Sequence, residues 1–515
     1  MCYKCKASGK EGIAVKLKVS NALSKIVYAL LAFLFVWVLV KMYFISYYEY
    51  SAPLLILGTL AALALMLLFW HIVKKREAFF EKHCRLITAG FLLFMLALQL
   101  AFSFPLRYAP VYDIGALFYG ASEWTETGSF PSYYEYFAMF HNNFGGLVLF
   151  RLWFGMMKLI GITDFYFAAC LLNSLLSIAA MYLTASSAGR LFGVRGRMTA
   201  LFLFFISPPF YFIAPAFYTD ALTMVFPPLI FRLWLYALDR KELLQKLACF
   251  VFMGLALALG YSIKATVLIM LIAVVIEGML YDSWKAWLPL AAIAAALTVC
   301  VSLAVNSVVY FHVGRDEAQK RQVPITHWIM MGLEGWGGYN GKDYAFTKSF
   351  DDPAERKLAI SRMISQRLRN MSLSDASELF DCKLDLVWND GTYGLSDCLG
   401  CPHEQDNYLH GFLVREDGAP RKIYKHICTA VLAAMYLLLL FSCVSDIFTS
   451  GQSVRLLAPR LALLGVFIFF LIWEARWRYF SSYVPIVMLC AAAGLESASA
   501  RLSGFASRRK KRSLS

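Results

Sequence analysis

Charged residues are scarce in this sequence of 515 residues. Asp, Glu, Lys and Arg make up 16% of the chain, whereas about 25% is usual for a soluble domain. Apolar residues account for 60%, and the mean hydropathy is +0.59. Several apolar runs are near or above the roughly 18 residues that cross the hydrocarbon core of a bilayer. This composition excludes a soluble globular protein and predicts an all-α polytopic membrane bundle.

Acidic residues are fewer than basic ones, 34 against 49, which leaves a net charge of +15. The basic residues lie at the ends of apolar segments rather than on one soluble face, so nucleic acid is not an expected partner. Loops that face the cytoplasm are rich in Lys and Arg. Since both ends of the chain are basic, we expect a multi-pass protein of the plasma membrane with both termini in the cytoplasm.

The sequence also lacks a cleavable signal peptide and an internal repeat. Its first apolar segment is too long for a signal peptide and has no small-residue cleavage site, so we expect it to remain as a helix. Many transporters are built from two related halves, and the absence of a repeat counts against that class. Cysteine is present 12 times, mostly in apolar runs where it behaves as a small hydrophobic residue.

Polar stretches divide the chain into five parts with about 12 to 13 transmembrane helices in total. The parts are residues 1–104 (N-terminal tail and three helices), 105–146 (the first outer loop), 147–309 (a transmembrane bundle), 310–425 (a small extracytoplasmic segment of mixed structure) and 426–515 (the last helices and a basic tail). We interpret 147–160 as a short, partly inserted helix, because a full crossing would place the basic turn Arg190–Arg197 outside.

The first outer loop is long, aromatic and acidic, whereas an ordinary membrane loop is short. Asp113 lies a few residues past the predicted membrane exit, and carboxylates beside a bilayer tend to mark function. We interpret this loop as the first wall of an active site; the alternative is that Asp113 caps a juxtamembrane helix. Further candidates in this loop, for binding an acceptor or a sugar, are Glu123, Glu135, His141, Asn142 and Asn143.

Other polar groups are predicted on the same outer face. They are Asp220, Lys264, His327 with Trp328, and the two arginines Arg476 and Arg478. Each has a structural alternative: Asp220 as a helix N-cap, Lys264 as a snorkelling side chain, and His327 as a structural histidine. Two arginines in an outer turn violate the positive-inside rule, and binding a phosphate at the membrane surface is one reason for them. Together these groups suit a reaction on a lipid-linked phosphate ester, in which a carboxylate deprotonates an acceptor hydroxyl and cations hold the departing phosphate.

Five stretches carry a family resemblance over most of residues 100–500: VYDIGALFYGASEW, YYEYFAMFHNNFGGLVLFRLW, RLFGVRGR, YTDALTM and EARWRYFSSYVPIVMLCAAAGL. In these the chain resembles GT-C type integral membrane glycosyltransferases, close to the protein O-mannosyltransferase and aminoarabinose transferase group (glycosyltransferase family 39). The resemblance implies a GT-C-like bundle and an inverting transfer from a polyprenyl-phosphate sugar to a cell-envelope lipid, polysaccharide or protein on the outer face.

The resemblance also implies roles for single residues. Asp113 matches the catalytic base, and Asp220 matches a second acidic position on the outer face. Lys264 and Arg476 or Arg478 match positions that contact the donor phosphate. Protein O-mannosyltransferases carry an adjacent Asp-Glu pair, whereas here Asp113 is followed by Ile114, which argues against protein mannosylation.

Members of this group differ in metal use, so a divalent metal is a possible cofactor, with His327 and either Glu135 or His141 as candidate ligands. Three cysteines lie in the segment 310–425: Cys382, Cys398 and Cys401. In an oxidising compartment we expect Cys382 to form a disulfide with Cys398 or Cys401. The alternative is a metal site of Cys398, Cys401 and His403. For the whole protein, the competing function is a transporter or flippase of lipid-linked saccharides, which predicts charges in the middle of the spans.

Overall fold

The computed structural model describes residues 10–46, 48, 50–281, 284–400, 402–403, 406–415, 418–448 and 456–512. Within these ranges the chain forms helices and no β-strand, and one isolated bridge pairs Tyr108 with His403. The extreme ends of the chain and Cys401 lie outside the described residues, so the structure does not test the predictions that concern them.

The first half of the chain contains eleven helices in its described residues. They are α1 (Lys10–Val40), α2 (Ala52–Lys75), α3 (Glu77–Ser103), α4 (Tyr112–Thr127), α5 (Tyr134–Met139), α6 (Phe144–Leu159), α7 (Phe165–Phe205), α8 (Thr219–Leu222), α9 (Phe226–Asp239), α10 (Leu243–Ile263) and α11 (Leu268–Tyr281). A π-helical turn, Lys41–Ile45, extends α1. The first outer loop is therefore largely helical, because it contains α4, α5 and the start of α6.

The second half continues the same pattern. Its helices are α12 (Trp284–Val313), α13 (Arg315–Arg321), α14 (Thr326–Gly332), α15 (Gly341–Lys348), α16 (Pro353–Asn370), α17 (Leu373–Trp388), α18 (Leu395–Leu399), α19 (Tyr408–Leu413), α20 (Ala419–Phe448), α21 (Leu457–Ile472) and α22 (Val484–Arg512). Short helices α13 to α19 occupy the segment that was predicted to be extracytoplasmic. A 3-10 stretch, Trp477–Tyr483, leads into α22.

Nine helical stretches of the described chain are long and apolar enough to cross a membrane, and two shorter apolar helices, Ala265–Tyr281 and Leu457–Ile472, accompany them. The predicted class, an all-α polytopic membrane protein, is confirmed. The predicted count of 12 to 13 is higher because it also counted short segments as spans. One of these is α6, which has 16 residues and is not among the candidate spans. Its partial insertion stays a prediction.

A reversal inside α7 also affects the count. Gly193 has φ 69° and ψ −159°, which are not helical. A Cβ built on Gly189 would lie 3.2 Å from the Cβ of Arg197, although eight residues of straight helix span about 12 Å. The chain therefore folds back at the predicted basic turn, and α7 consists of two helical arms, one on each side of Gly193.

The bundle is closed by long helices that pack side by side. Helix α20 packs against α22, α1 and α2, while α7 packs against α3 and α22. A second group joins α10 to α12 and α11 to α21. Aromatic rings fill the contact between α17 and α21, where Trp388 stacks on Phe467 at 3.8 Å between ring centroids. Helix α4 packs on α6, so the first outer loop lies against the bundle.

Lys383 of α17 closes the end of α21. Its side chain is buried, and its Nζ donates to the carbonyl oxygens of Leu471 (3.1 Å) and Trp473 (2.9 Å). The last carbonyls of a helix have no partner within the helix, so this lysine satisfies them. Burial lowers the pKa of Lys383 to about 8. The contact fixes α17 to the turn that follows α21, where the arginines of interest lie.

Replacing Lys383 by methionine should destabilise this end of the bundle. The Lys383→Met variant leaves two buried carbonyls without a donor, and each costs about 1–3 kcal/mol. We expect the apparent melting temperature of the detergent-solubilised protein to fall by several degrees. Lys342→Met, at an exposed position in α15, is the matched control and should melt like the wild type. Equal melting temperatures for the two variants would contradict this role of Lys383.

Candidate active site

Asp113 lies in the first turn of α4 but does not cap it. The N-cap residue is Val111, and no side chain caps this helix. Instead, the two carboxylate oxygens of Asp113 accept hydrogen bonds from the hydroxyls of Tyr136 (2.8 Å) and Tyr218 (3.3 Å). The amide of Asn143 in turn donates to the Tyr136 hydroxyl at 2.6 Å. The structural alternative, a helix cap, is therefore not observed.

The two tyrosines keep their protons. Burial, and then the negative charge of Asp113, raise the pKa of Tyr136 and of Tyr218 well above the ordinary value for tyrosine. Both hydroxyls therefore act as donors to the carboxylate. The backbone before Asp113 is unusual as well, because Tyr112 has a φ of 52°, which a bulky residue rarely adopts.

Asp220 lies between two cations. It belongs to α8, whose N-cap is Tyr218, so the predicted alternative of an N-cap is not observed here either. Its side chain is 4% exposed; one oxygen bonds Lys264 Nζ and the other lies 3.2 Å from Arg478 Nε. Burial lowers the pKa of Lys264, and the charge of Asp220 opposes this shift. Lys264 is therefore a buried, paired cation rather than a snorkelling one.

Aromatic rings connect these cations to Asp113. The Arg478 guanidinium lies 5.0 Å from the ring centroid of Tyr218, whose hydroxyl donates to Asp113. Lys264 Nζ lies 3.9 Å from the ring centroid of Tyr479. One side chain, Tyr218, thus contacts both the carboxylate of Asp113 and the guanidinium of Arg478. The structure therefore brings together four predicted residues that are far apart in the sequence: Asp113, Asp220, Lys264 and Arg478.

Arg476 lies beside this group and has its own carboxylate. Its Nε is 3.3 Å from Oε1 of Glu474, which is 5% exposed. Burial raises the pKa of Glu474, the charges of Arg476 and Arg478 lower it, and the charge of Asp113 raises it further. The turn is held by backbone hydrogen bonds from Glu474 N to Trp328 O (3.0 Å) and from Ala475 N to the oxygen of Gly337 (2.8 Å).

A cavity of about 470 Å³ opens next to Lys264. It will be called the site cavity. Predicted candidates that line it are His141, Asn142, Asn143, Lys264 and Trp328, and further lining residues include Tyr218, Ser302, Asn306, Tyr310, Gln322, Trp473 and Tyr479. Gly145 permits this arrangement, because a Cβ there would overlap the Ser262 carbonyl oxygen. The turn His141–Asn143 therefore approaches the end of α10 and Lys264.

Three other predicted residues are not brought to the cavity. Glu123 accepts from Ser132 at 3.0 Å, and Glu135 is exposed and lies 3.5 Å from Arg321. His327 is buried, with its Nδ1 2.7 Å from the Thr347 hydroxyl.

The predicted metal ligands contact other groups in the structure. His141 contacts the Ala138 carbonyl and the Tyr310 hydroxyl rather than His327. Among the residues the structure describes, no three His, Cys, Asp or Glu side chains form a group that could hold a metal ion. A pair of ligands is not tested by this finding, so the combination of His327 with Glu135 or His141 stays a prediction.

The expected disulfide of Cys382 is not formed. Cys382 has a free thiol on α17, next to Asp381, which accepts from Trp37 of α1 at 2.8 Å. Cys398 faces elsewhere, because it lines a small cavity of about 30 Å³ together with Asp220 and Arg478. His403 stacks on His410, with 3.7 Å between the ring centroids. The alternative metal site needs Cys401, which lies outside the described residues.

Sequence reasoning missed the tyrosines that organise the site. Tyr136 stands in YYEYF and Tyr218 in FYTD, where several aromatic residues compete and hydropathy does not distinguish them. The sequence contained one indication of Tyr218, which stands two residues before the predicted site residue Asp220. Glu474 and Tyr479 were visible only as parts of the last outer motif. Their contacts depend on the fold, because Glu474 and Asp113 are 361 positions apart in the sequence.

The fold and the site define a polytopic α-helical membrane protein with a polar centre at one end of its bundle. The chain belongs to the family described as "Conserved hypothetical integral membrane protein", whose model matches residues 17–499. No curated protein matches the sequence.

Among solved structures, the chain is similar to ArnT from Cupriavidus metallidurans. In the structure of ArnT bound to undecaprenyl phosphate, the identity is 14% over 80% of this chain and 78% of that chain, with a TM-score of 0.34. In the apo structure, the identity is 12% over 79% of this chain and 76% of that chain, with a TM-score of 0.36.

His327 should make the stability of the protein fall in acid. Burial lowers its pKa to about 4, whereas the unfolded chain has an ordinary histidine value of about 6.5. Its contribution is complete above about pH 6.5 and is lost as the pH falls toward about 4, because only the unfolded chain takes up the proton. We expect His327→Asn to lose less stability than the wild type between about pH 7.5 and about pH 5.5, by roughly 1 kcal/mol. Thermal melts in detergent measure this, and parallel losses would contradict it.

Proposed function

We propose that this protein is an inverting membrane glycosyltransferase. In this proposal, a sugar moves from a polyprenyl-phosphate donor to a lipid, polysaccharide or protein of the cell envelope. The reaction takes place at the extracytoplasmic face of the plasma membrane, and both termini lie in the cytoplasm. One observation carries the proposal: Asp113 and the cation pair of Lys264 and Arg478 meet at one end of the bundle, on the two sides of Tyr218.

Asp113 is suited to act as the general base. Two hydroxyls hold its oxygens, which fixes the carboxylate and still leaves lone pairs for an acceptor hydroxyl. In the transfer, the acceptor oxygen bonds to the anomeric carbon and gives its proton to Asp113. The bond from that carbon to the phosphate oxygen breaks, and its electron pair leaves with the phosphate. General-base help of this kind is worth roughly 10²–10⁴-fold in rate.

Lys264 and Arg478 are suited to hold the phosphate. Both pair with Asp220, so the three groups together carry one net positive charge. Asp220 therefore acts as a positioning carboxylate rather than as a second base. Arg478 uses its Nε for Asp220, and a guanidinium has further N–H donors. A cation in a site shielded from water stabilises the negative charge that develops on a leaving phosphate.

The positions of Asp113 and Lys264 bear on the proposed inversion at the sugar carbon. Lys264 lines the site cavity, and Asp113 is not among its lining residues. Tyr218 lines that cavity, and its hydroxyl donates to Asp113, which lies outside the cavity lining. Inversion needs the acceptor and the leaving phosphate on opposite faces of the sugar carbon. The proposal therefore requires the reacting sugar carbon to lie at the Tyr218 edge of the cavity, between Lys264 and the side on which Asp113 lies.

The competing function, transport of a lipid-linked saccharide, predicts charged groups in the middle of the spans. Helix α21 does not offer them. Buried Arg460 pairs with Asp446 near its start, and Lys383 caps its end, which is about 18 Å away for twelve residues of helix. All residues between, 461–472, are apolar or glycine. The charges on this helix therefore lie at its two ends.

Removal of the base should abolish turnover and spare donor binding. In Asp113→Asn the side chain keeps its size but no longer accepts a proton. We expect transfer of a radiolabelled sugar to fall by roughly 10²-fold or more, with unchanged affinity for the donor. Glu126→Gln, an exposed carboxylate on the same helix, is the matched control and should transfer normally. An active Asp113→Asn enzyme would move the base elsewhere.

Loss of a phosphate cation should instead weaken the donor complex. Lys264→Gln removes one charge-assisted contact, worth about 1.5–3 kcal/mol, so the donor Kd should rise by roughly 10- to 100-fold. Lys158→Gln, at the exposed end of α6, is the matched control. Titration of the purified protein with polyprenyl phosphate measures the change. Equal Kd values for both variants would argue against Lys264 as a phosphate ligand.

A further inference from the structure

The site cavity is lined by neutral polar groups that suit one class of sugar. Ser302, Asn306 and Tyr310 are four residues apart, so they share one face of α12, and all three line the cavity. This polar stripe lies in a helix that is otherwise apolar enough to span a membrane. Polar residues within such helices tend to mark function. The proposed transfer assigns no role to this stripe.

Other lining groups extend the same chemistry. Asn142, Asn143 and Gln322 add three side-chain amides from other segments of the chain. An amide both donates and accepts hydrogen bonds, which matches the hydroxyl groups of a sugar ring. Trp328 is stacked parallel to Trp473, and both line the cavity, so they offer flat aromatic surface to the apolar face of a ring.

Charge is nearly absent from this lining. Lys264 is the cation among the described lining residues, and these residues include no carboxylate. Lys264 is already paired with Asp220. Burial lowers the pKa of His141 to about 4, so this histidine is neutral at physiological pH.

A charged substituent on the sugar would find no partner in this cavity. An ammonium group would meet Lys264 and no carboxylate, and a carboxylate would compete with Asp220 and the donor phosphate for the same lysine. A buried charge without a partner is strongly unfavourable. Hydroxyl groups, in contrast, have several neutral polar side chains around them, including the six named above.

We propose that the transferred sugar is uncharged, a hexose or pentose whose ring carries hydroxyls or other neutral groups. The site cavity then excludes sugars with a free amine or a carboxylate. This inference rests on the proposed function, because it assigns the cavity to the sugar of the lipid-linked donor.

The test compares donors that differ at one position of the ring. Full-length protein in bilayer nanodiscs is titrated with polyprenyl phosphate carrying glucose, glucosamine or glucuronic acid, and with bare polyprenyl phosphate. Quenching of tryptophan fluorescence reports binding, since Trp328 and Trp473 line the cavity. We expect the glucose donor to bind at least about tenfold more tightly than either charged donor, for the loss of roughly 1.4 kcal/mol or more. A smaller difference, or a reversed order, overturns the inference.

Binding of bare polyprenyl phosphate distinguishes failure of the proposed function from failure of the inference about the sugar. If none of the four lipids binds, the proposed function fails, and the inference fails with it. If bare polyprenyl phosphate binds and the charged donors bind as well as glucose, only the inference fails.

A single substitution in the site cavity should change the relative affinities for the charged and uncharged donors. Asn306→Asp keeps the shape of the side chain and adds a carboxylate to the cavity. We expect this variant to bind the glucosamine donor about tenfold more tightly than the wild type does and the glucuronic acid donor more weakly. Gln245→Glu adds the same charge at an exposed position in the first turn of α10 and should leave all four affinities unchanged. An unchanged order of affinities in Asn306→Asp would overturn the assignment of this cavity to the sugar.

Discussion

The site depends on one buried ion pair network, in which Asp220 holds Lys264 and Arg478. Two cations cannot lie close together in an apolar bundle unless a carboxylate lies between them, because each buried charge needs a partner. Asp220 belongs to α8, Lys264 follows α10, and Arg478 precedes α22. A single carboxylate therefore joins three elements that are distant in the sequence. Removing it would leave two like charges facing each other and would release all three elements.

Tyr218 connects this ion pair network to the first outer loop. Its ring lies beside Arg478 and its hydroxyl donates to Asp113, so the position of Asp113 follows from the position of Arg478. Tyr136 and Asn143 complete the link from the other side. A membrane bundle has few polar contacts to fix geometry, and here a chain of hydroxyl and amide hydrogen bonds fixes it. The outer loop is consequently a part of the bundle rather than an appendage.

Composition was sufficient to predict the class of the protein, since apolar runs of sufficient length specify membrane helices. Charged residues beside such runs were also informative: Asp113, Asp220, Lys264 and Arg478, each found next to an apolar segment, converge in the structure. Glu123 of the same loop was predicted to bind the acceptor or the sugar. It lies ten residues along α4 from Asp113, which places it about 15 Å away.

Other features depend on tertiary contacts that no local pattern carries. The reversal at Gly193 separates two arms of α7, because a backbone with positive φ turns the chain within a helical sequence. The cysteine spacing did not determine a pairing, since Cys382 faces α1 while Cys398 faces Arg478. The stripe of Ser302, Asn306 and Tyr310 has a regular helical period and was recognisable in principle. Its meaning becomes clear only when the cavity beside it is known.

The close approach of Gly145 to Ser262 has a consequence for how this protein tolerates sequence change. Any side chain at position 145 would push Ser262 away, and Ser262 lies two residues before Lys264. The outer loop and α10 therefore cannot vary independently in evolution. A substitution at this glycine would displace Lys264 from a distance, and a compensating change in the last turn of α10 would be needed to restore its position.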